Sequence, residues 1–547
     1  MTSRSLGHRA PLLWLVLPLM AGIVTGRVSG GFNLPAQLAI AAIAAGTSFV
    51  ASRRNRPVPW GIALTVAAFF AGSSSYELHR LRLRSWEALP PREARVSLRI
   101  ERTFAQSDPK RGSGLGTVVG VEGPFRELEG QRVYFSCSLR PGEPLPRRSM
   151  VVAFLGILSP LPPNPATDSF DGYLASAGAN FRLARSRLVR VEQPQSAYYR
   201  FCDTAAVRLK DILGAGIAEK RPTLAGLLRA MMLGETRELT EDQHTIFMQS
   251  GTMHLFAISG LNIGVIALSM ETLLLLFRIP APARFAIGTP LLWLFVDITG
   301  AAPSAVRAFA MAAFFHGAFV LRRPANPIAA IVASAAIVLL VAPLQLFSAS
   351  FLMSYAIVVA LLLLGLPLNE AWQQHWKPWR DIPRTMWNRW HKLTHAAWEK
   401  TSLALAIGVA TTLVSLLTSI LFFRLLTPGA LAANLVLIPA AMIVTLGGFV
   451  AILCGLAGFT AGAALCNHAA ALVLMLIEEL VRWSVTVPGA FLGAQFRAAW
   501  VGPVSLATVL AAILFGYASQ WQWRRGGWVP PFAIVALTLA FGVRYGG

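Results

Sequence analysis

The sequence predicts a polytopic α-helical membrane protein with a small β-barrel domain inserted after its third span. Only 14% of the 547 residues are charged, and the mean hydropathy is +0.56, whereas soluble domains average roughly 25% charged residues. Apolar runs of near-spanning length recur about thirteen times along the chain. A single long polar block, residues 76–200, interrupts them and shows strand-like alternation.

The apolar runs form two groups, one before the polar block and one well after it. The first group is 11–28, 34–51 and 58–75, and the second is 252–277, 285–300, 304–321, 327–342, 349–367, 401–423, 430–453, 457–481, 500–518 and 528–543. This spacing predicts four parts: N-terminal transmembrane helices (1–75), the β domain (76–200), a short helical segment (201–250) and a second transmembrane domain (251–547).

Clusters of basic residues predict one orientation of these spans, because cytoplasmic loops carry excess Lys and Arg. The clusters are Arg4 and Arg9, Arg53, Arg54 and Arg56, Arg278 and Arg284, Arg322 and Arg323, the loop 368–400, and Arg524 and Arg525. Alternating spans place all of them on one side. The N-terminus and the loop 368–400 are therefore expected to be cytoplasmic, and the block 76–200 extracytoplasmic.

The polar block contains five strand-like stretches separated by Gly, Pro and charged residues. "ARVSLRI" and "RVYFSCSL" alternate apolar and polar positions, and "GLGTVVGV", "MVVAFLGIL" and "ANFRLARSRLVRV" add three more. Five short strands in about 110 residues favour a small barrel of the OB-fold type. Residues 77–200 carry 19 Lys and Arg against 12 Asp and Glu, a net charge of +7. The barrel could bind nucleic acid or serve as a spacer that faces lipid headgroups, and the sequence leaves both open.

Two amphipathic helices are expected between the β domain and the second group of spans. Leu224, Leu227, Leu228, Met231 and Met232 form one apolar stripe at helical spacing. Thr240 and Gln243 have the spacing of a capping box at the start of a second helix. Neither helix is long or apolar enough to span, so we expect both to lie on the outer leaflet.

The loop 368–400 contains six of the fifteen tryptophans and six Lys and Arg residues. Aromatic side chains interleaved with cations are suited to stacking on and neutralising a single nucleic-acid strand. The same composition is typical of an interfacial belt against membrane lipids. The sequence favours the lipid interpretation and does not exclude the other.

No pattern in the chain predicts an enzyme, a metal site or a cofactor. The sequence has no Gly-Lys dipeptide and therefore no P-loop, and it contains neither H-E-x-x-H nor G-x-S-x-G. Cys137, Cys202, Cys454 and Cys466 show no zinc-ligand spacing. The sequence does not decide whether Cys137 and Cys202 form a disulfide.

Polar residues within the apolar runs are the candidate functional residues. In "GTMHLFAISGLNIG", a helix over 252–270 would place His254, Ser259 and Asn262 on one arc. The glycines of this stretch, Gly251, Gly260 and Gly264, are expected to allow close helix packing or a broken helix beside a cavity. The polar residues then either line a water-filled path or form a buried interhelical cluster.

Asp297 and Arg307 flank the hairpin "ITGAAPS" at matching depth. An unpaired charge inside the membrane costs roughly 2.5–3.5 kcal/mol. We therefore expect the two side chains to face each other or water.

Several motifs together resemble the ComEC family of competence proteins. They are "NPATDSFDGYLASAGANFRL", "MMLGETRELTEDQHTIFMQSG", "GTMHLFAISGLNIG", "GAAPSAVRAFAMA", "FLMSYAIV" and "LAANLVLIP". The matching positions add Ser304, Ser354 and Asn434 to the candidate residues. The chain departs from the family in two respects, because Asn262 stands where members usually carry a second histidine and because no C-terminal metallo-β-lactamase-like domain follows.

The resemblance implies an inner-membrane channel that takes up single-stranded transforming DNA. It also implies an extracytoplasmic DNA receptor, a separate nuclease and a cytoplasmic ATPase as partners, with homo-oligomerisation left open. The path would be lined or braced by His254, Ser259, Asn262, Asp297, Ser304, Arg307, Ser354 and Asn434. Two alternatives are a transporter of a smaller anionic solute, such as a glycan or lipid precursor, and an intramembrane enzyme with His254 as base and Ser259 as nucleophile. The five-residue spacing on a helix disfavours the enzyme.

Overall fold

The computed structural model describes most of the chain. The described residues are 10–29, 33–80, 83–87, 89–104, 108, 110–123, 125–163, 165–166, 168–256, 258–323, 325–376, 378–521 and 526–546. Four arginines used above to predict the orientation, Arg4, Arg9, Arg524 and Arg525, lie outside these ranges.

Helices dominate the described residues. They are α1 (Leu13–Ser29), α2 (Leu34–Arg53), α3 (Pro57–Arg80), α4 (Arg84–Glu87), α5 (Phe170–Ser176), α6 (Ala197–Gly214), α7 (Pro222–Leu233), α8 (Glu241–Gln249), α9 (Gly260–Leu276), α10 (Ala281–Ile298), α11 (Pro303–Val320), α12 (Pro327–Val341), α13 (Ala349–Ala360), α14 (Leu366–His375), α15 (Arg389–Phe423), α16 (Ala430–Leu456), α17 (Thr460–Thr486), α18 (Val501–Ala518) and α19 (Val529–Phe541).

Every predicted apolar run coincides with a helix. Within the described residues, ten helical segments are long and apolar enough to cross a membrane, including the continuous Ala349–His375. The runs at 11–28, 327–342 and 528–543 form the shorter apolar helices α1, α12 and α19. The chain is therefore a multi-pass membrane protein.

Five strands from the polar block form a closed barrel in the order β1-β2-β3-β5-β4. The strands are β1 (Arg92–Phe104), β2 (Arg111–Val121), β3 (Arg132–Ser138), β4 (Val151–Pro160) and β5 (Phe181–Gln193). The neighbours pair antiparallel except β3 with β5, which run parallel. Each of the five predicted stretches forms one of these strands.

The barrel interior is filled by the apolar positions of the predicted alternation. In β3 the buried residues are Val133, Phe135 and Cys137, and the Phe135 ring stacks on Phe154 at 5.1 Å between centroids. Close packing requires glycine at one point, because a Cβ on Gly156 would lie 2.6 Å from the Cβ of Ser186. Cys137 and Cys202 are both buried free thiols, so no disulfide joins the barrel to α6.

The N-terminal helices pack closely through small residues. A Cβ on Gly22 of α1 would overlap the carbonyl oxygen of Phe69 in α3, and a Cβ on Gly72 would overlap that of Leu19. These two glycines therefore let the backbones of α1 and α3 meet, which is the usual role of small residues between membrane helices.

Helix α7, which carries the apolar stripe, is packed inside the helical bundle, whereas the sequence predicted it on the outer leaflet. Nine of its twelve residues are buried, and they share one apolar cluster with residues of α9, α16 and α17. Gly234 ends the helix in a left-handed conformation. The following capping box is confirmed, because the side chains of Thr240 and Gln243 each bond to the other's backbone N–H.

A π-helical turn, Leu361–Gly365, interrupts the span that runs from α13 into α14. Pro367 explains it, since proline has no N–H to offer the carbonyl four residues earlier and its ring crowds that carbonyl. The displaced acceptor, Leu363 O, is instead bonded by the indole N–H of Trp521 at 2.9 Å. Turns of this kind often occur at functional sites.

The barrel and the tryptophan-rich loop lie at opposite ends of the same two helical segments. The turn Pro343–Phe347, which precedes α13, contacts α5 of the barrel. The second segment, α15, runs from the loop to Arg424, which forms an ion pair with Asp168 of the barrel domain at 2.6 Å. The described part of the loop 368–400 is therefore remote from the barrel. A small sheet of β6 (Leu425–Leu426), β7 (Leu492–Phe496) and β8 (Val543–Tyr545) adjoins Arg424.

Candidate functional site

The motif that contains His254, Ser259 and Asn262 is not one continuous helix. Residues Met253–Leu255 form a 3-10 turn, and α9 begins only at Gly260, with Ser259 as its N-cap. The Ser259 hydroxyl accepts a hydrogen bond from the backbone N–H of Asn262 at 3.3 Å. The predicted helical arc of three residues is therefore wrong, because α9 begins after its N-cap Ser259 and His254 lies outside this helix.

Asn262 is buried and joins three helices. Its side-chain Nδ2 donates to the carbonyl oxygen of Met231 in α7 at 2.9 Å. Its Oδ1 accepts from the hydroxyl of Thr445 in α16 at 3.5 Å. Because both amide atoms have buried partners, this side chain braces α9 against α7 and α16.

His254 lies apart from this cluster on an exposed turn. Its Nδ1 is hydrogen-bonded to the carbonyl oxygen of Gly251 at 3.0 Å. Gly251 adopts a φ of +73°, which favours glycine, and a Cβ there would lie 3.1 Å from the hydroxyl of Thr427. His254 is exposed just before the start of α9.

Gly260 and Gly264 do not mediate close helix packing. A Cβ on Gly260 would make only ordinary contact with Ala308, at 3.7 Å, and a Cβ on Gly264 would have no neighbour within 4 Å among the described residues. The helix-packing role predicted for this pair is therefore wrong in this arrangement. Both glycines lie on an exposed face of α9.

Asp297 is paired with the barrel domain and not with Arg307. Its Oδ1 accepts from the guanidinium of Arg148 at 2.8 Å, and its Oδ2 accepts from the Tyr198 hydroxyl at 2.8 Å. The Arg148 guanidinium also lies 4.5 Å from the centre of the Tyr199 ring. Asp297 thus lies at a junction of the barrel domain, α6 and the end of α10. Of the two expected arrangements, facing each other or facing water, the Asp297–Arg307 pair does not form.

Burial, together with the hydrogen bond to the Asp297 carboxylate, raises the pKa of Tyr198 well above its ordinary value. Burial likewise raises the pKa of the nearby Cys202 thiol. Both groups therefore remain protonated at neutral pH. In this state Tyr198 acts as a hydrogen-bond donor to the carboxylate.

Arg307 and Ser304 connect α11 to its neighbours. Ser304 donates to the carbonyl oxygen of Ile258 at 2.6 Å, which fixes the turn before α9. Arg307 is only 1% exposed, and its Nη2 donates to the backbone oxygen and hydroxyl of Ser350 at 2.7 and 2.6 Å. Its Nε and Nη1 are buried without a hydrogen-bond partner among the described residues. The guanidinium therefore retains donors that an anion or water would satisfy.

Two predicted residues remain, Ser354 on α13 and Asn434 on α16. Ser334 and Tyr355 share a hydrogen bond of 2.8 Å beside Arg307, and Ser354 is half-buried on α13 next to Tyr355. Asn434 lies on α16, and its Oδ1 is buried without a hydrogen-bond partner in the described part of the chain. The structure thus brings Arg307 and Ser354 to the same region.

The sequence interpretation missed a second polar pair inside the apolar segments. Arg284 donates through Nε to the Glu271 carboxylate at 2.7 Å and through Nη1 to the carbonyl oxygen of Ile279 at 2.9 Å. The pair lines a cavity of about 20 Å³ between α9, α10 and α11, together with Thr289 and His316. Glu271 in an otherwise apolar run was the available signal, because ionisable residues in membrane helices are rare and usually functional.

Four aromatic side chains on the barrel surface form a cluster that the sequence interpretation also missed. Phe104 lies at the end of β1, Tyr134 on β3, and Phe170 and Tyr173 on α5. The centroids of contacting rings are 5.2 to 6.1 Å apart. Phe170 is 49% exposed and Tyr173 39% exposed. The available signal was Tyr134, an outward-facing aromatic residue in the alternation of β3.

Two arginines flank this aromatic cluster. The guanidinium of Arg102 lies 5.7 Å from the centre of the Phe104 ring, and that of Arg182 lies 5.7 Å from the centre of the Phe170 ring. Arg182 also pairs with Asp171, whereas Arg102 donates to the Tyr173 hydroxyl at 3.4 Å. The surface therefore combines exposed aromatic faces with cationic edges.

A family model described as "Competence: Competence protein" matches residues 231–525. This range covers just over half of the chain. The chain belongs to the competence protein family. The membership confirms the family that the motifs indicated. All the candidate residues from Gly251 to Asn434 lie inside the matched range, and the barrel lies outside it.

This member of the competence protein family is similar to ComE operon protein 3 of Bacillus subtilis (strain 168). It is 24% identical over 199 residues, which are 36% of this chain and 25% of that protein. The match thus spans about a quarter of the length of the relative. No solved structure matches the chain.

Proposed function

We propose that this protein conducts single-stranded DNA inward across the plasma membrane during competence. The observation that carries the proposal is the aromatic cluster of Phe104, Tyr134, Phe170 and Tyr173 with its flanking arginines. Stacking of a base on an aromatic side chain contributes about 1–3 kcal/mol per base and tolerates any sequence. Nearby guanidinium groups neutralise the phosphate backbone. An exposed surface of this composition therefore suits a single strand of any sequence.

The position of the cluster on the barrel supports the same conclusion. The strand order and the parallel β3–β5 pairing support assignment of the barrel to the OB-fold. Such barrels bind oligonucleotides on strands 2 and 3 and on the loops between strands 1 and 2 and between strands 4 and 5. Phe104 borders the first of these loops, Tyr134 is on β3, and Phe170 and Tyr173 are in the second loop region. In this proposal the barrel receives the strand outside the cytoplasm.

The membrane domain supplies the path and the barrel supplies the receiving surface. Arg307 has two buried donors without a partner among the described residues, and we assign it to a phosphate oxygen. His254 is exposed just before the start of α9, and Asn262 and Ser304 brace the helices around it. The protein catalyses no reaction in this proposal, so a DNA receptor, a separate nuclease and a cytoplasmic ATPase act beside it.

A transporter of a smaller anionic solute, such as a glycan or lipid precursor, is the second candidate. The cavity between α9, α10 and α11 favours it, because Arg284 in its lining places a cation suited to an anionic group inside the membrane domain. With a volume of about 20 Å³, the cavity holds one water molecule in this state. An open state wide enough for a stacked base would support the DNA channel, and a narrower one would support the transporter of a smaller solute.

Binding of a fluorescent 20-nucleotide single strand to the full chain in lipid nanodiscs tests the proposal. We expect Tyr173→Ala together with Phe170→Ala to weaken binding by about 10- to 100-fold, the stacking of one to two bases. Affinity should also fall steeply with rising salt, because bound phosphates release counterions. DNA uptake by cells should fall in parallel.

Phe201→Ala is the matched control. Phe201 is an exposed aromatic residue on α6, 55% exposed and outside the cluster, so its removal should leave binding unchanged. Equal binding by the double variant and the control would refute the role of the cluster. Binding of an anionic glycan in preference to DNA would favour the second candidate.

A further inference from the structure

The end of the helical bundle opposite the barrel contains a polar pocket. It has a volume of about 350 Å³ and is lined by Asn369 and Gln373 of α14 and by His395 and Glu399 of α15. Pockets that bind small organic groups begin at about 300 Å³. Pro367 and the π-helical turn set the direction of α14 just before its first lining residue.

A buried serine fixes both amide side chains of the pocket. Ser402 is fully buried, and its hydroxyl donates to Asn369 Oδ1 at 2.9 Å and accepts from Gln373 Nε2 at 2.6 Å. Each amide therefore uses one of its two ends on Ser402. Within the described part of the chain, the Asn369 amide nitrogen and Gln373 Oε1 are left for a ligand, as one donor and one acceptor a helical turn apart.

The other side of the pocket adds a second acceptor. His395 is 8% exposed, and its Nε2 lies 3.1 Å from Glu399 Oε1. The edge of the Trp387 ring packs against the imidazole, with centroids 4.8 Å apart. This pair holds the Glu399 carboxylate at the pocket rim, where its second oxygen can accept a hydrogen bond.

We propose that this pocket binds an unpaired nucleobase of the single strand leaving the bundle, adenine or cytosine, whose base-pairing edge carries an exocyclic amine beside an acceptor ring nitrogen. The inference rests on the proposed function. An amino group on the base donates to Gln373 or Glu399, and the adjacent ring nitrogen accepts from the Asn369 amide. Asparagine and glutamine recognise adenine in this way, and carboxylates accept from the cytosine amine. Thymine presents no exocyclic amine to these acceptors.

The surroundings of the pocket suit the rest of a nucleotide. Trp372 lies on α14 and Trp376 directly follows this helix. Their ring centroids are 6.0 Å apart, and Trp376 is 61% exposed. Arg380, Arg384 and Arg389 follow in the adjoining segment. Bases stack on such rings and phosphates pair with such cations. The described lining residues include no Lys or Arg, so this part of the pocket is better suited to a base than to a phosphate.

Photo-crosslinking to the full chain in lipid nanodiscs, which leave both membrane faces accessible, tests the proposal. The probe is a 20-nucleotide single strand with one 5-iodocytosine, whose base-pairing edge is unmodified. Mass spectrometry should find a crosslinked peptide within 366–402. Unlabelled oligo(dA) and oligo(dC) should compete with it about tenfold better than oligo(dT).

Gln373→Leu should reduce this crosslink about tenfold, and Ser402→Ala should reduce it as well because both amides lose their anchor. Gln374→Leu is the control, since Gln374 is exposed on the same helix and does not line the pocket. Crosslinks to barrel peptides that contain Tyr134 or Tyr173 report folding and the proposed function in the same sample, and they should be unchanged by all three variants.

A crosslink at 366–402 that survives Gln373→Leu, or equal competition by oligo(dT), overturns the base pocket. Crosslinks confined to the barrel overturn it and leave the proposed function intact. Crosslinks at neither place overturn both.

Discussion

Asp297 holds the barrel against the helical bundle through two hydrogen bonds to its carboxylate, from Arg148 and Tyr198. The Asp297 side chain is 4% exposed, whereas that of Arg148 is 30% exposed. The buried member of the pair is therefore the anion. Removal of one partner from a buried ion pair leaves an uncompensated charge, which is the expensive outcome.

Arg148→Ala should lower the free energy of unfolding by about 3 kcal/mol. The neighbouring Arg147 forms an exposed ion pair with Asp203 at 3.0 Å, so Arg147→Ala should change it by less than about 1 kcal/mol. Denaturant unfolding of the detergent-solubilised protein measures both. Equal effects of the two variants would show that the Asp297 junction contributes no more to stability than an exposed ion pair.

Cys137 in the barrel interior should make stability depend on alkaline pH. Burial raises the pKa of this thiol from its ordinary 9.0 to about 11. Between these values the unfolded chain loses the proton while the folded chain keeps it, so stability falls as pH rises through this window. The loss should reach about 2 kcal/mol. Cys137→Ala should remove this part of the pH dependence in urea unfolding at pH 8.5 to 11.

At the scale of single elements, the span from α13 to α14 depends on a bond from a distant helix. Trp521→Phe should leave Leu363 O without its donor, at a cost of about 2 kcal/mol in unfolding free energy. Pro367→Ala in the same chain should recover most of this loss, because an alanine at this position would supply the missing backbone N–H. No recovery in the double variant would mean that the indole contributes by packing alone.

Elements with strong periodicity were predictable from the sequence. Alternation in two stretches and short apolar runs between Gly, Pro and charged residues identified the five strands, and the Thr240–Gln243 spacing identified a capping box. All of these signals depend on neighbours within a few residues. Asp297 illustrates the opposite case. Its charge and depth were evident, but its partner lies 149 residues away, and local spacing carries no information about such a contact.

The candidate site shows the same limit. Ser259 was recognised as polar, but its role as an N-cap was missed, because the preceding apolar residues continue the pattern of a span. The aromatic cluster was missed because its members come from three separate elements. Only the closure of the barrel brings Phe104, Tyr134 and Phe170 together.

At the scale of the whole molecule, the barrel and the loop 368–400 should be on opposite sides of the membrane. Glu129 is exposed on the barrel and Gln374 is exposed on α14. In a chain whose four cysteines are replaced, an impermeant maleimide added to intact cells should label Glu129→Cys and not Gln374→Cys. Permeabilised cells should show labelling of both. Labelling of Gln374→Cys in intact cells would contradict the predicted orientation.

The two ion pairs that dock the barrel also impose an order on its biosynthesis. Asp168 precedes its partner Arg424 by 256 residues, and Arg148 precedes Asp297 by 149. At roughly 5–20 residues per second, the ribosome reaches Arg424 about 13 to 51 s after Asp168. The barrel contains all of its own strands, so it can close while its docking partners are still unmade. The nascent chain thus carries a finished domain that can first dock when α10 presents Asp297, and its attachment to the bundle is complete only after α15 is inserted.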